Sequence, residues 1–422
     1  MLRSMFAAIS GLRNHQTMMD VVGNNIANIN TTGFKSSQAV FSEVLSQTIR
    51  GAGAATVNNG GSNPTQIGLG SRVAAITSSF SQGALQRTDR STDFAIQGDG
   101  FFAVNQGGQS LYTRAGSFSV DALGRLVTQD GGLVQGWQAS NGSVATTGPT
   151  GPITIPVGDL IPPQRTSALT IGGNLPSDAA VGTSVVAAAD VYDGSGAVTN
   201  LRLEYTKTAT NTWSLGARYV DPAGALQPPT TGAAQNIATL TFDPNSGKLT
   251  SPTTETLAGG FLPSFPTQSI ALNFGNSASA TSLSQYSKLS SVAVVDQDGQ
   301  GAGTLSGFTV SQDGLLVGSY TNGRTRPIGQ LSLVNFANPE GLQKSQGSSY
   351  YTSTVNSGLP QVGTPSSGGR GTISGGALEM SNVDLSQEFT NLIVAQRGFQ
   401  ANSRVVTTSD EMLQEVVNLK HS

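Results

Sequence analysis

His15 and His421 are the only imidazoles in the chain, so a serine hydrolase triad would have to be built on one of them. Each lies in or beside a terminal segment with helical apolar spacing, where a solvated or interhelical side chain is the simpler reading. Asp296, Asp298 and Gly299 open like a calcium loop, yet the twelfth position is Gly307 where a bidentate glutamate belongs, so a turn is expected. Gly299, Gly301 and Gly303 could cradle a phosphate only if a helix followed them, and no helical pattern does. Asp89, Asp93 and Asp99 offer carboxylates for glycoside hydrolysis, but surface turns explain them as well. Trp137 and Trp213 could stack on sugar rings, although such rare tryptophans more often fill a core. The absence of cysteine removes disulfides, thiol catalysis and thiolate metal sites. These residues predict no catalytic, cofactor-binding or metal-binding site, no cofactor and no enzyme.

The elements that would have to position any chemistry are unusual in composition. The chain has 422 residues, enough for two or three domains, and 37% of them are hydrophobic, enough for a real core. Only 11% are charged, against about 25% in a typical soluble protein. With 53 glycines, this is the profile of a β-rich chain with many tight turns. A net charge of −3 makes no basic field, so nucleic acid is not an expected partner. No run of eighteen apolar residues exists to span a membrane. Arg13-Asn-His-Gln16 interrupts the first twenty residues before a signal peptide can form, so export would keep the N-terminus.

Both ends read as helices. Met5, Leu12, Met19 and Ile26 recur every seven residues, with Leu2, Ile9, Gln16 and Gly23 on a second seam, which is coiled-coil spacing. The run stops at Asn30-Thr-Thr-Gly33, where glycine can end a helix. Leu385, Leu392, Phe399, Val406 and Leu413 repeat the spacing at the other end, beside Phe389, Gln396, Ser403, Asp410 and Val417. Ser381 with Asp384 resembles a capping box. Met5, Ile9, Leu12, Met19, Ile26, Leu385, Phe389, Leu392, Phe399, Val406 and Leu413 are the candidate subunit-interface residues.

Between the ends the pattern is β. Residues 46–75 are Gly-, Asn- and Thr-rich and predict a linker or extended arm. Leu201, Leu203 and Tyr205 alternate with polar residues, as do Trp213, Leu215, Ala217 and Tyr219. Asp130-Gly131, Asp193-Gly194 and Asp313-Gly314 are tight-turn signals. Phe118, Val120, Gly124, Leu126 and Val127 share their spacing with Phe308, Val310, Gly314, Leu316 and Val317, which points to one sheet domain built from both halves of the chain. Prolines 152, 156, 162 and 163 mark the way into a separate inserted domain. The expected architecture is mainly β with long α-helical termini in a nested order. Residues 1–45 and 378–422 form a terminal coiled-coil-like helical domain, 76–150 and 285–377 a split β domain, and 151–284 an inserted outer β domain.

Several of these segments resemble the flagellar axial proteins of rod, hook and hook–filament junction. Met5-Phe-Ala-Ala-Ile-Ser-Gly-Leu12, Asn24-Asn-Ile-Ala-Asn28 and Asn30-Thr-Thr-Gly-Phe-Lys35 are similar to their N-terminal motif. Gln66-Ile-Gly-Leu-Gly70, Gln82-Gly83, Thr88, Asp93-Phe-Ala-Ile-Gln-Gly-Asp-Gly-Phe-Phe102 and Tyr112-Thr-Arg-Ala-Gly-Ser-Phe118 resemble the block that follows. Gly375-Gly-Ala-Leu-Glu379, Ser381-Asn-Val-Asp384 and Ala395-Gln-Arg-Gly-Phe-Gln-Ala-Asn402 resemble the C-terminal motif. Ile161-Pro-Pro-Gln-Arg-Thr166 leading to Gly173-Asn174-Leu175 is similar to the start of a hook outer domain. The resemblance implies a structural hook subunit, a head-to-tail homopolymer forming a curved tube that works as a universal joint from rod to filament. It implies distal rod, hook cap, junction protein and export apparatus as partners, and an extracellular place in the flagellum. A distal rod or junction subunit is the alternative within the family, and a secreted sugar-binding adhesin or enzyme the alternative outside it. Helical ends this marginal alone are expected to order on assembly.

Overall fold

The computed structural model describes residues 2–54, 60–140, 142–158, 160–221, 224–227, 237–260, 269–275, 282–345 and 349–419. His421 lies outside them. The chain forms two compact units, one of Met1–Val157, Gly307–Gly318 and Thr325–Ser422, the other of Gly158–Ser306 and Ser319–Arg324.

The first unit holds both long helices, α1 (Leu2–Ala27) and α2 (Leu385–Leu419). After α1 the chain makes a β ribbon. Strand β1 (Ser37–Glu43) returns antiparallel on β4 (Ser71–Ser78), and between them β2 (Ser46–Arg50) pairs with β3 (Thr65–Gly68). The segment expected to be a linker or extended arm carries these paired strands, because alternating Ser, Gln, Thr and Ile residues can share a ladder.

The sheet of this unit joins sequence-distant strands. Phe101–Gln106 and Gln109–Thr113 form a hairpin through Gly107 and Gly108, whose φ values of 60° and 84° supply the paired left-handed turn. Leu133–Ser140 pairs with Phe101–Gln106 on one side and with Thr325–Leu331 on the other. Phe94–Gln97 pairs with Thr372–Gly375, and Leu85–Arg87 with Ala377–Glu379. Phe101 to Val104 is buried without alternation, since both faces of that strand are covered. Phe80, Phe101, Phe336 and Tyr351 meet edge to face around it.

The two matched hairpin patterns close identically. Gly124 N–H donates to Asp121 O and Asp121 N–H to Arg125 O; Gly314 N–H donates to Ser311 O and Ser311 N–H to Leu315 O. The same turn occurs at Asp193, but there the left-handed residue is Gly196 at φ 87°, not the Gly194 of the Asp-Gly pair. Asp193 opens the turn by accepting from Ser195 and Ala197 N–H.

The second unit packs two sheets around one core. Ser184–Tyr192, Val198–Ala209, Thr212–Val220, Ala238–Phe242 and Leu249–Ser251 form an antiparallel sheet. Ala168–Pro176 centres the other, beside Ile270–Asn273, Leu283–Tyr286 and Ala293–Gln297. Leu201, Leu203, Tyr205, Trp213, Leu215, Leu272 and Phe274 are fully buried in this core. The inserted segment continues to Ser306, beyond the expected 284, with Ala293–Gln297 running back along Ala168–Pro176, and Ser319–Arg324 rejoins the same unit. Its start also moves: Ile153 and Ile155 are buried in the first unit, where Ile153 N–H donates to Val134 O.

Candidate assembly interface

Three sequence-distant segments of the first unit meet at a buried ionic junction. Lys35 Nζ donates to Glu379 Oε1 at 2.6 Å and to Ser81 O at 2.7 Å, and both charged side chains are fully buried. Gly83 N–H donates to the same carboxylate oxygen at 2.9 Å. Arg114 Nη1 stands 3.6 Å from Glu379 Oε2, its guanidinium lying over the Phe101 ring. Burial holds the Lys35 amine below its ordinary 10.5, against the pull of Glu379. Burial likewise lowers Arg114. Gly33 is required beside this junction: its φ is 68°, and a Cβ there would lie 2.5 Å from Ala115 N. Asn382 completes the tie, accepting from Ser36 N–H and donating to Ser79 O.

Beyond the junction the helices run antiparallel. Asn25 meets Glu388, His15 lies against Gly398, and Gly11 lies against Asn402. A Cβ on Gly11 would stand 2.8 Å from Asn402 Nδ2, and one on Gly398 would fall on the His15 ring, so glycine permits this close crossing. Asp384 is the N-cap of α2, its Oδ1 accepting from Ser386 N–H at 2.8 Å and Gln387 N–H at 3.3 Å. The expected capping box is thus replaced by Asp384 alone, while Ser381 Oγ accepts from Val383 N–H.

The inner seam is not the one that apolar spacing marks. On α2 the buried positions are Glu388, Ala395 and Ser409, spaced in sevens through half-buried Asn402. On α1 they are Ala8, Asn14, Val22 and Asn25. Of the candidate interface residues, Met5, Ile9, Leu12, Met19, Ile26, Leu392, Phe399, Val406 and Leu413 are half-buried. Leu385 and Phe389 are exposed, Phe389 by 50%, and so are Ile393, Val394, Val405, Met412 and Val417 on the same helix. On α2 the sevenfold series Glu388, Ala395, Asn402 and Ser409 was the signal for the inner seam; the heptad-spaced apolar residues mostly flank it, and Leu385 and Phe389 are left exposed.

The other candidates are structural. Trp213 is sealed in the second core, and Trp137 donates from Nε1 to Gly148 O. Asp298 Oδ1 accepts from Ser167 and Ala168 N–H, and its Oδ2 accepts from Ser167 Oγ. Asp93 is buried beside Arg90, whereas Asp89 and Asp99 are exposed. A Cβ on Gly299 would collide with Thr166 and one on Gly303 with Asn322, so these glycines allow close packing. Among the described residues, no group of three His, Asp or Glu is arranged to hold a metal, and no helix is long and apolar enough to cross a membrane.

Comparison with known proteins matches four family models in order. They are flagella basal body rod protein over residues 5–35, the flagellar hook protein FlgE/F/G D1 domain over 95–174, the flagellar basal body protein FlaE D2 domain over 168–300, and the flagellar basal body rod FlgEFG protein C-terminal over 374–419. The flagellar hook protein FlgE of Borreliella burgdorferi is 38% identical over the whole of both chains. The flagellar basal-body rod protein FlgG of Bacillus subtilis is 33% identical, again over the whole of both. The crystal structure of Helicobacter pylori flagellar hook protein FlgE2 shares the fold, with a TM-score of 0.53 at 15% identity over 70% of this chain and all of that one.

Proposed function

This chain belongs to the family of flagellar hook and basal-body rod proteins, and we propose on that premise that it is the structural subunit of the hook. Its role is mechanical, and no residue is assigned a catalytic task. Copies would join head-to-tail into an open helical tube, curved and flexible, that carries torque from rod to filament. The observation that carries this reading is the helix pair. Its inner seam buries Ala8, Asn14, Val22, Asn25, Glu388, Ala395 and Ser409, while Phe389, Ile393, Val394, Val405, Met412 and Val417 remain exposed in the single chain. In a tube these side chains would be buried between neighbours in coiled-coil-like contacts.

The nested order follows from the same reading: terminal helices innermost, the split β domain around them, the inserted domain outermost. Partners would be further copies of this chain, with distal rod protein, hook cap, hook–filament junction protein and export apparatus at the ends of its path. The chain would act outside the cell, in the flagellum. Electron microscopy and sedimentation of the full-length chain beside its Phe389→Asp variant test the reading. Tubes from the first and folded monomers from the second are expected; tubes from both would sink the inner-tube role. A distal rod or junction subunit is the alternative, favoured by the full-length match to a rod protein. The position of the labelled chain in purified basal bodies separates them.

A further inference from the structure

Among the described residues of the two helices, Glu388 is the one buried carboxylate, 8% exposed in the first turn of α2. Its Oε1 accepts a single hydrogen bond, from Asn25 Nδ2 at 3.2 Å, and its buried Oε2 has no partner among the described residues. Asn25 cannot turn to help further. Its Oδ1 accepts from Ser37 N–H at 3.0 Å and its Nδ2 donates to Ser37 O at 2.8 Å, which fixes the amide and leaves one N–H for Glu388. Among the described residues, no cation pairs with the carboxylate. From α1 it meets neutral Asn25. Behind Asn25 lies Ser37, whose Oγ accepts from Lys344 Nζ, a lysine that also donates to Lys35 O. The N-cap of α2, Asp384, stands one turn earlier in sequence and carries the same sign. His15 contacts Gly398, nearly three turns further along.

We propose that the protonation of Glu388 governs the docking of α1 on α2, the neutral acid holding the helices together and the ionised one favouring their release. A carboxylate buried with one neutral donor is poorly solvated, and removing its charge relieves most of that cost. Burial accordingly raises the Glu388 carboxyl above its ordinary 4.5, with the Asn25 hydrogen bond opposing. The sign follows from linkage. A docked state that holds its proton more tightly than the released state gains stability as pH falls. That gain is lost as pH rises through the raised value. The fold thereby contains a loosening of its terminal helices at neutral and alkaline pH and a tightening in mild acid. The proposal deepens the assembly reading in its consequence, but it is tested on the monomer.

The helices α1 and α2 dominate the helical far-ultraviolet signal, so circular dichroism of the full-length chain reports them. It is read from mildly acid to mildly alkaline pH, at concentrations where sedimentation shows monomers. The natural chain is expected to lose helical signal with a midpoint above the ordinary glutamate range. Glu388→Gln should hold its signal across the series, with unchanged tryptophan fluorescence from Trp137 and Trp213 in the β units. Asn25→Ala, which removes the donor favouring the ionised form, should move the midpoint upward. A flat natural chain, an undiminished pH response in Glu388→Gln, or an unmoved midpoint in Asn25→Ala would each overturn the proposal. Failure to form tubes with the pH response intact would count against the hook reading alone.

Discussion

Lys35 Nζ lies 2.6 Å from Glu379 Oε1, so a single buried ion pair closes the chain across 344 sequence positions. The segment leaving α1 and the segment entering α2 are held at one point, with Arg114 of the sheet domain as third party. Two cations share one carboxylate, and the three partners are not equivalent.

Removing Lys35 leaves Glu379 facing Arg114, whereas removing the carboxylate leaves two buried cations. Lys35→Met is therefore expected to cost about 3 kcal/mol and Glu379→Gln about 5 kcal/mol, the two ends of the range for breaking buried pairs. Denaturant unfolding of both variants checks the order. Equal losses would show that Arg114 does not share the carboxylate.

Gly398→Leu should drive a side chain into the His15 ring and cost about 1–3 kcal/mol of helix docking. His15 also faces Phe41 of the β ribbon, ring centroids 6.3 Å apart, whereas Trp137 and Trp213 are buried in the sheets. Tryptophan fluorescence should stay native while hydrogen exchange of α1 accelerates.

Phe389→Asp addresses the outward face, where the side chain is half exposed and has no close role in the single chain. Monomer stability should change by no more than about 0.5 kcal/mol, as at ordinary surface positions. Tube formation should nevertheless fail, since the charge would have to be buried between copies.

Asp384→Ala removes the cap of α2 and should cost about 1 kcal/mol of helix stability. Asp384→Asn, which keeps an acceptor, should recover most of it. Thermal melts of the helical signal compare the three chains.

In the second unit, Asp298 lies below its ordinary 3.8: burial pushes it up, but Ser167 Oγ and the N–H groups of Ala168 and Ser167 pull it further down. A depressed folded value means stability that is present above 3.8 and lost as pH falls below it. Asp298→Asn should flatten this acid loss in that unit without altering the response at Glu388.

The helices themselves were legible, because apolar sevens at Met5–Ile26 and Leu385–Leu413 outweigh the glycines between them. Their inner seam was not. A reading that weights leucine and phenylalanine follows the large side chains, while an antiparallel crossing this close selects Gly11, Ala395, Gly398 and Asn402. The alternation through Leu201, Leu203, Tyr205 and Trp213 announced a core because each strand has one wet face. The Lys35–Glu379 junction had no periodic signature, since lone charges far apart carry none, although Lys35, Arg114 and Glu379 each lie in a segment that resembles the family's motifs. Asp193 shows a subtler failure: the turn was visible, but the glycine that bends it is three residues on, outside the Asp-Gly pair.

The main segment of the second unit, Gly158–Ser306, begins and ends in neighbouring strands. Leu160 pairs with Thr304, Gln164 with Gln300, and Leu169 with Gln297, all antiparallel. A segment whose two ends run side by side is a cassette. It can lengthen, shrink or be exchanged with little change in the separation of its attachment points, because loop closure is already complete at the base. Lineages could therefore remodel such a segment, its bulk and its exposed chemistry, while the Lys35–Glu379 junction tying the two chain ends together stays under separate selection.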